Sequence, residues 1–391
     1  MKNRLYLVVF CVLIAVNISC AATRPTKAQV RAILKAVEVG NIAKVRALIQ
    51  STPSLVYAKD DYGTTPLHIA AINGKTDIAV FLIDNGANIN ARQTDGSPPW
   101  GIEEGDCCCS TEDYVQDTYN GCTPLHWAAF HNSKKVAELL LSKGALVNPG
   151  DKHGSTPLTY AAHNGWATIA GMLIAKGANV NVVGWHKNRP LHEAVSEKHP
   201  QTTELLLTNG ALVNVKGEFG TTPLDSAIYN KDIAIVKLLV AHGADVNLRD
   251  NEGSRRLSRR LNEYISTPFT FAVENEQVEM INYLLEYGGD PNAICDTVGD
   301  TVLHLASFRG QASTIKLLLE KGAKVEERNS FGNTPIMSAA VKGHIEIVKL
   351  LVLHGANVNA KNKKGTSALS FALSGNRYDT ADYLRSVGAE E

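Results

Sequence analysis

A short motif recurs nine times along this 391-residue chain, and any fold must accommodate its register. Thr-Pro-Leu-His or a near copy begins at Thr65, Thr123, Thr156, Arg189, Thr222, Thr267, Thr301, Thr334 and Ser367. Five of the eight spacings are 33 residues; the others, 58, 45 and 34, are one period plus insertions of 25, 12 and 1. Each start is followed 21 residues later by a glycine: Gly86, Gly144, Gly177, Gly210, Gly243, Gly288, Gly322, Gly355 and Gly388. A fixed period of this length describes one small supersecondary unit that cannot bury its apolar face alone and must stack on its neighbours.

Within a unit the residues read as two short helices. Thr caps the first, and Pro occupies its first turn, where a missing N–H costs little. In the eighth unit Thr334-Pro335-Ile336 opens helix one and Gly343-His344 turns the chain. Ile347, Val348, Leu351 and Val352 then supply a buried stripe at helical spacing. Gly-Ala or a near copy ends helix two. An extended arm such as Asn357-Val358-Asn359, Asn179-Val180-Asn181 or Asp245-Val246-Asn247 leads to the Gly-containing turn of the next unit.

The Gly-x-Thr-Pro-Leu-His-x-Ala-Ala opening and the Leu-Leu-x-x-Gly-Ala-x-Val-Asn close resemble the ankyrin repeat over nearly all of residues 61–391. The resemblance implies an all-α repeat solenoid of helix-turn-helix units with hairpin-like fingers, elongated and curved. Residues 30–60 keep Gly40 and Leu48-Ile49 in phase but lack the motif, as a degenerate N-terminal capping repeat does. Arg189 for the capping Thr, Val302 for the Pro, and Ser367-Ala368 are local departures.

The first 22 residues read as an export signal. Lys2 and Arg4 precede an apolar run from Leu5 to Val16, with small residues following. The run is too short for the roughly 20 apolar residues of a membrane-spanning helix. Cys20-Ala21-Ala22 fits a small-x-small cleavage site. Ile18-Ser19-Cys20 resembles a bacterial lipid-attachment box, with Asn17 where Leu is usual, so a lipid anchor at Cys20 is the second reading. The expected organisation is a signal peptide at 1–22, a linker at 23–29, the cap at 30–60 and the array at 61–391, with insertions near 93–118 and 254–265. The protein is expected in the periplasm, on the cell surface or in the medium.

Charge names no partner. Lys+Arg 39 balance Asp+Glu 39, and loss of Lys2 and Arg4 leaves 37 against 39, so nucleic-acid binding is not expected. No P-loop, dinucleotide fingerprint, Gly-x-Ser-x-Gly elbow or His-Glu-x-x-His helix is intact, so neither an enzyme nor a cofactor is expected. His192-Glu193 comes nearest to a zinc helix, but the next His is His199. In ankyrin repeats the motif His, here His68, His126, His192 and His304, satisfies neighbouring loop groups. The patch of His131, His153, His163 and His186 could bind metal or sense pH, but repeats stand about 10 Å apart and no metal is assigned.

Cys107-Cys108-Cys109 lies in the first insertion, with Cys122 just beyond. In an oxidising compartment a bridge from the triplet to Cys122 would close a loop of about 15 residues and contribute ~3 kcal/mol. Free thiols and a metal site are the alternatives. Residues 93–120 carry seven acidic and no basic side chains, whereas the second insertion carries Arg255, Arg256, Arg259 and Arg260. Both should lengthen finger tips, where loops carry function more often than packing.

The resemblance also implies where a partner binds: the finger residues four, three and one before the motif Thr, and those seven and eight after it. In units two to five this selects Tyr119, Phe130, His131, Lys152, His153, His163, Asn164, Trp185, His186, Glu197, Phe219, Tyr229 and Asn230. Trp127, Tyr160 and Phe271, four after the start, are expected in the core. The set is rich in aromatic anchors. The expectation is a monomeric, exported, non-enzymatic scaffold that binds a partner protein through its concave face. A secreted effector acting on a host or neighbouring cell, and an envelope protective factor using its cysteines, are the rivals.

Overall fold

The computed structural model describes residues 24–94, 120–217, 220–249 and 267–390. The expected signal peptide, Tyr119, Phe219, Cys107, Cys108, Cys109 and most of both insertions lie outside the described residues. Among the described residues there are twenty α-helices, two short 3-10 turns and no strands beyond two isolated antiparallel bridges. The chain divides into two compact units, residues 1–185 and 186–391.

The first unit holds four helix pairs: α1 Lys27–Glu38 with α2 Ile42–Ser51, α3 Pro66–Ile72 with α4 Thr76–Asp84, α5 Pro124–Phe130 with α6 Lys134–Ser142, and α7 Pro157–His163 with α8 Ala167–Ala175. The second holds six: α9 Pro190–Ser196 with α10 Pro200–Thr208, α11 Pro223–Tyr229 with α12 Ile233–Ala241, α13 Pro268–Glu274 with α14 Val278–Glu286, α15 Val302–Arg309 with α16 Ala312–Glu320, α17 Pro335–Lys342 with α18 Ile345–Leu353, and α19 Ala368–Ser374 with α20 Tyr378–Ser386. α1 begins three residues inside the stretch read as a linker. Its signal is Thr26-x-x-Gln29: Thr26 Oγ1 accepts from the Gln29 N–H at 3.2 Å, and Gln29 Oε1 accepts from the Thr26 N–H at 2.9 Å.

The motif residues cap helix one in the same reciprocal way. Thr222 Oγ1 accepts from the Asp225 N–H, and Asp225 Oδ2 accepts from the Thr222 N–H at 2.7 Å. Arg189 has no hydroxyl, yet its N–H still reaches His192 Nδ1 at 3.2 Å, so the third helical residue completes the cap from the other side. All nine glycines placed 21 residues after a motif start have φ between 84° and 93°, the left-handed cap that ends helix two. The turn between the helices also needs a left-handed residue. Gly74, Gly165, Gly310 and Gly343 supply it in four units; Asn132, Lys198, Lys231, Glu276 and Asn376 adopt it at φ 52–61° in the others.

Helix one buries its motif Leu and paired Ala together with large rings such as Trp127 and Phe269, and helix two buries mainly branched residues. In the eighth repeat Ile347, Val348 and Leu351 are buried, while Val352 is half-exposed. Each fully buried Leu or Val contributes about 1.5–3 kcal/mol relative to exposure.

Two side-chain devices knit the fingers. First, an Asp or Asn five residues before the motif start folds the finger tip: Asp60 Oδ1 accepts from the N–H groups of Tyr62 and Thr64, and Asp151, Asp296, Asn329 and Asn362 repeat this. Gly184 and Gly217 stand at that position in the fourth and fifth repeats, and Lys187 takes the glycine's left-handed place at φ 56°. Second, the Asn of the extended arm clamps the following helix. Asn148 Nδ2 donates to the Gly177 carbonyl at 3.0 Å, and its Oδ1 accepts from the Asn179 N–H at 2.8 Å. Asn214, Asn247, Asn292 and Asn359 do the same with Gly243, Gly288, Gly322 and Gly388. The clamp satisfies carbonyls that a helix end otherwise leaves orphaned.

The described residues on either side of the first insertion meet in a finger. Gln93 N donates to the Cys122 carbonyl at 3.0 Å and Gly121 N to the Gln93 carbonyl at 3.1 Å.

Candidate partner-binding face

In the first unit the rings expected to meet a partner form two groups. On the fingers, His153 stacks on Trp185 with ring centroids 4.0 Å apart and 30° between planes. The Trp185 N–H donates to Ser155 Oγ at 3.3 Å, which seats the indole beside the preceding finger. Both rings are half-buried, so each keeps a face for solvent.

At the ends of helix one, Phe130 is drawn inward to 8% exposure. Its ring lies 5.0–6.0 Å from those of His131, Tyr160 and Trp127, and its carbonyl accepts from Trp166 Nε1 at 2.8 Å. Phe130 is therefore a packing residue that offers an edge, because the next repeat supplies Tyr160 and Trp166 to cover it. His131 stacks on Trp127 at 5.7 Å; His163 and Asn164 are half-buried. Lys152 is exposed.

Trp127 and Phe271 are buried, as their spacing implies. Trp127 Nε1 donates to Gln93 Oε1 at 2.8 Å, and Gln93 Nε2 donates to Thr64 Oγ1 at 3.0 Å. Tyr160 is half-buried with a fully engaged hydroxyl. It donates to Asp151 Oδ2 at 2.9 Å, so the Cys122 thiol 3.4 Å away donates to it. Burial pushes the Cys122 thiol well up, with the Asp151 charge adding to it. Burial also raises Asp151, against the lowering pull of the Tyr160 hydroxyl and of the His153 and Ser155 N–H groups. Cys122 and Cys295 are both free, buried thiols.

His68, His126 and His304 bridge repeats as the resemblance implies, whereas the buried Nε2 of His192 makes no such bond. The Thr65 N–H donates to His68 Nδ1 at 3.1 Å, which leaves the proton on Nε2, and that nitrogen donates to the Cys122 carbonyl at 3.2 Å. His126 and His304 reach the Ser155 and Asn333 carbonyls. Desolvation holds His68 and His192 down at about 4 and His126 at about 3. Among the described residues no three His, Cys, Asp or Glu side chains are grouped to hold a metal, and His131, His153 and His163 form no such set.

In the second unit Tyr229 is 59% exposed and stacks on Phe271 at 6.2 Å, while Asn230 Nδ2 donates to the Ser196 carbonyl at 2.9 Å. Glu197 is exposed and His186, at φ 52°, is half-buried. The same face carries a feature outside units two to five: a hollow of about 220 Å3 lined by Phe308, Phe331 and Phe371. Its lining residues Val298, Phe331, Asp300, Asn333, Phe308 and Val341 occupy the very positions three and one before, and seven after, the motif starts. The rule for contact positions contains this signal; only its restriction to units two to five conceals it.

The chain matches the family model described as ankyrin repeats (3 copies) over residues 9–93, 104–184, 183–250, 257–329 and 310–391, and the model of ankyrin repeats (many copies) over 224–285. It is 38% identical over 63 residues to the serine/threonine-protein kinase VIK of Arabidopsis thaliana, covering 16% of this chain and 14% of the kinase. It is 28% identical over 107 residues to the ankyrin repeat protein OPG189 of Variola virus, covering 23% of this chain and 19% of that protein. The chain thus spans less than a fifth of either relative. The crystal structure of the human ASB11 ankyrin repeat domain is similar over 61% of this chain and all of that domain, at 30% identity and a TM-score of 0.48. By the family-model matches, which take in most of its length, the chain belongs to the ankyrin-repeat family.

Proposed function

We propose that this chain is a non-enzymatic scaffold that binds a partner protein through the face formed by its fingers and the ends of its first helices. One observation carries the reading: large rings remain open on that one face, with Tyr229 59%, Phe331 54% and Phe308 46% exposed. Exposed aromatics are costly unless used, and rings of this kind dominate binding energy at protein interfaces. The His153–Trp185 pair adds a stacked, pre-ordered ring surface in the first unit, which loses little side-chain entropy on binding.

The basic n-region and apolar run at residues 2–16 support an exported protein, retained in the envelope or released. Release into the medium would make it an effector of the same physics. Affinity capture with the full chain, compared with a Trp185→Ala, Tyr229→Ala double variant of unchanged helicity, tests the binding reading. A partner recovered by the wild type and lost by the variant is the expected result. Sequencing the N-terminus of protein from envelope and medium tests export, and an intact Met1 in both would sink it.

A further inference from the structure

We propose that the hollow in the last three repeats is an anchor site for a linear acidic segment of a partner protein that inserts a tryptophan. The inference rests on the scaffold reading above and names the chemistry of a second contact on the same face.

The hollow takes shape from the repeat register. Fingers seven, eight and nine are tied by backbone bonds, with Ser330 N donating to the Val298 carbonyl at 2.8 Å and Lys363 N to the Phe331 carbonyl at 3.0 Å. Val298 and Phe331 therefore stand in one row, and Phe308 and Val341, from the ends of α15 and α17, form the facing row. At about 220 Å3 the space is below the roughly 300–1,000 Å3 of small-molecule sites. It is of the size to take one large side chain, which is what a peptide anchor requires.

The polar groups select which side chain. Asp300 lines the apolar hollow, and its Oδ1 accepts from Asn329 Nδ2 at 2.7 Å, which fixes the carboxylate in place. A ring with an apolar body and a single N–H donor satisfies both the phenylalanine walls and this acceptor, and indole is that group.

The rim selects the flanks. Lys342 lies 4.3 Å over the Phe308 ring, and Lys363 and Lys364 stand on the ninth finger beside Phe331. All three are exposed, and none makes an ion pair among the described residues. Three unpaired ammonium groups around an aromatic hollow complement carboxylates on either side of the inserted ring.

The test uses the full chain and fluorescein-labelled peptides of the pattern Asp-Glu-Trp-Asp-Glu, with Ala replacing Trp, or Lys replacing the acidic residues, as controls. Fluorescence anisotropy should show saturable binding of the acidic Trp peptide, weakened about tenfold or more by each control and by raised salt. Phe331→Ala, an exposed ring whose loss spares the core, should weaken it about tenfold. A Lys342→Glu, Lys363→Glu, Lys364→Glu variant should prefer the basic peptide. Absence of saturable binding to the acidic Trp peptide, or binding indifferent to both variants, overturns the inference. Should a captured partner still depend on Trp185 and Tyr229 in that case, the scaffold reading stands and this anchor site alone falls.

Discussion

Asn247 reaches past the second insertion to clamp Gly288, donating to its carbonyl at 2.8 Å while accepting from the Asp290 N–H at 3.2 Å. The two residues are 41 apart in sequence, whereas the equivalent Asn214 and Gly243 are 29 apart, yet the bond is the same. The clamp between the fifth and sixth repeats is thus the same with or without inserted sequence. Asn247→Ala should cost about 1 kcal/mol in urea unfolding, because it strands both a carbonyl and an N–H at a helix end. Deleting residues 254–265 should change stability less than that single substitution. The opposite order would show that the insertion is part of the packing.

The Cys122 thiol, the Tyr160 hydroxyl and Asp151 form one buried string, so Cys122 should be inert in the native chain. Alkylation followed by peptide mapping should label Cys122 and Cys295 only after denaturation. Tyr160→Phe should lower stability by about 1–3 kcal/mol, since it leaves a buried carboxylate oxygen and a thiol unpaired. Recovery of Cys122 in a disulfide with Cys107, Cys108 or Cys109 from folded protein would contradict the buried, protonated thiol.

The buried motif histidines make the array sensitive to mild acid. His68, His126 and His192 are held at about 4, 3 and 4, below the unfolded value of 6.5. Their neutral forms favour the folded state, so their contribution is fully present above pH 6.5 and lost as pH falls toward 4. Each adds up to about 1.4 kcal/mol per pH unit within that window. Asp60, Asp151 and Asp296, raised by burial, act with the opposite sign and flatten the effect. Urea unfolding at pH 7.5, 6 and 5 should show stability falling, with a shallower slope in His126→Gln.

Lys198, Lys231 and Glu276 hold a left-handed conformation that glycine adopts freely at the matching turns. Changing each to Gly should raise stability by up to about 1 kcal/mol, relief of strain exceeding the added chain entropy. The reverse change, Gly310→Ala, should destabilise. A Cβ there would combine the same strain with a 3.0 Å approach to the His344 ring. Thermal melts of the four variants check both directions.

The register of motifs made the helix pairs legible, because Thr-Pro and the later glycine have fixed backbone roles wherever they stand. The start of α1 was less so: Thr26 and Gln29 cap it without a proline. The Asn-x-Asn arms were visible, but their clamping role was not, since its partner is a carbonyl in the following repeat. Phe130 shows the same limit for the site. Its spacing matches an open position, and only the next repeat's Tyr160 and Trp166 decide that it is covered. Phe308 and Phe331 are the opposite case, open rings at contact positions in the seventh and eighth repeats, outside units two to five.

Each of the five asparagine clamps joins one repeat to the repeat that follows. In the second unit the clamps, the backbone bonds between fingers and the His304 bridge all act between nearest neighbours. An array held by nearest-neighbour links loses a terminal repeat while the links between the remaining repeats stay closed.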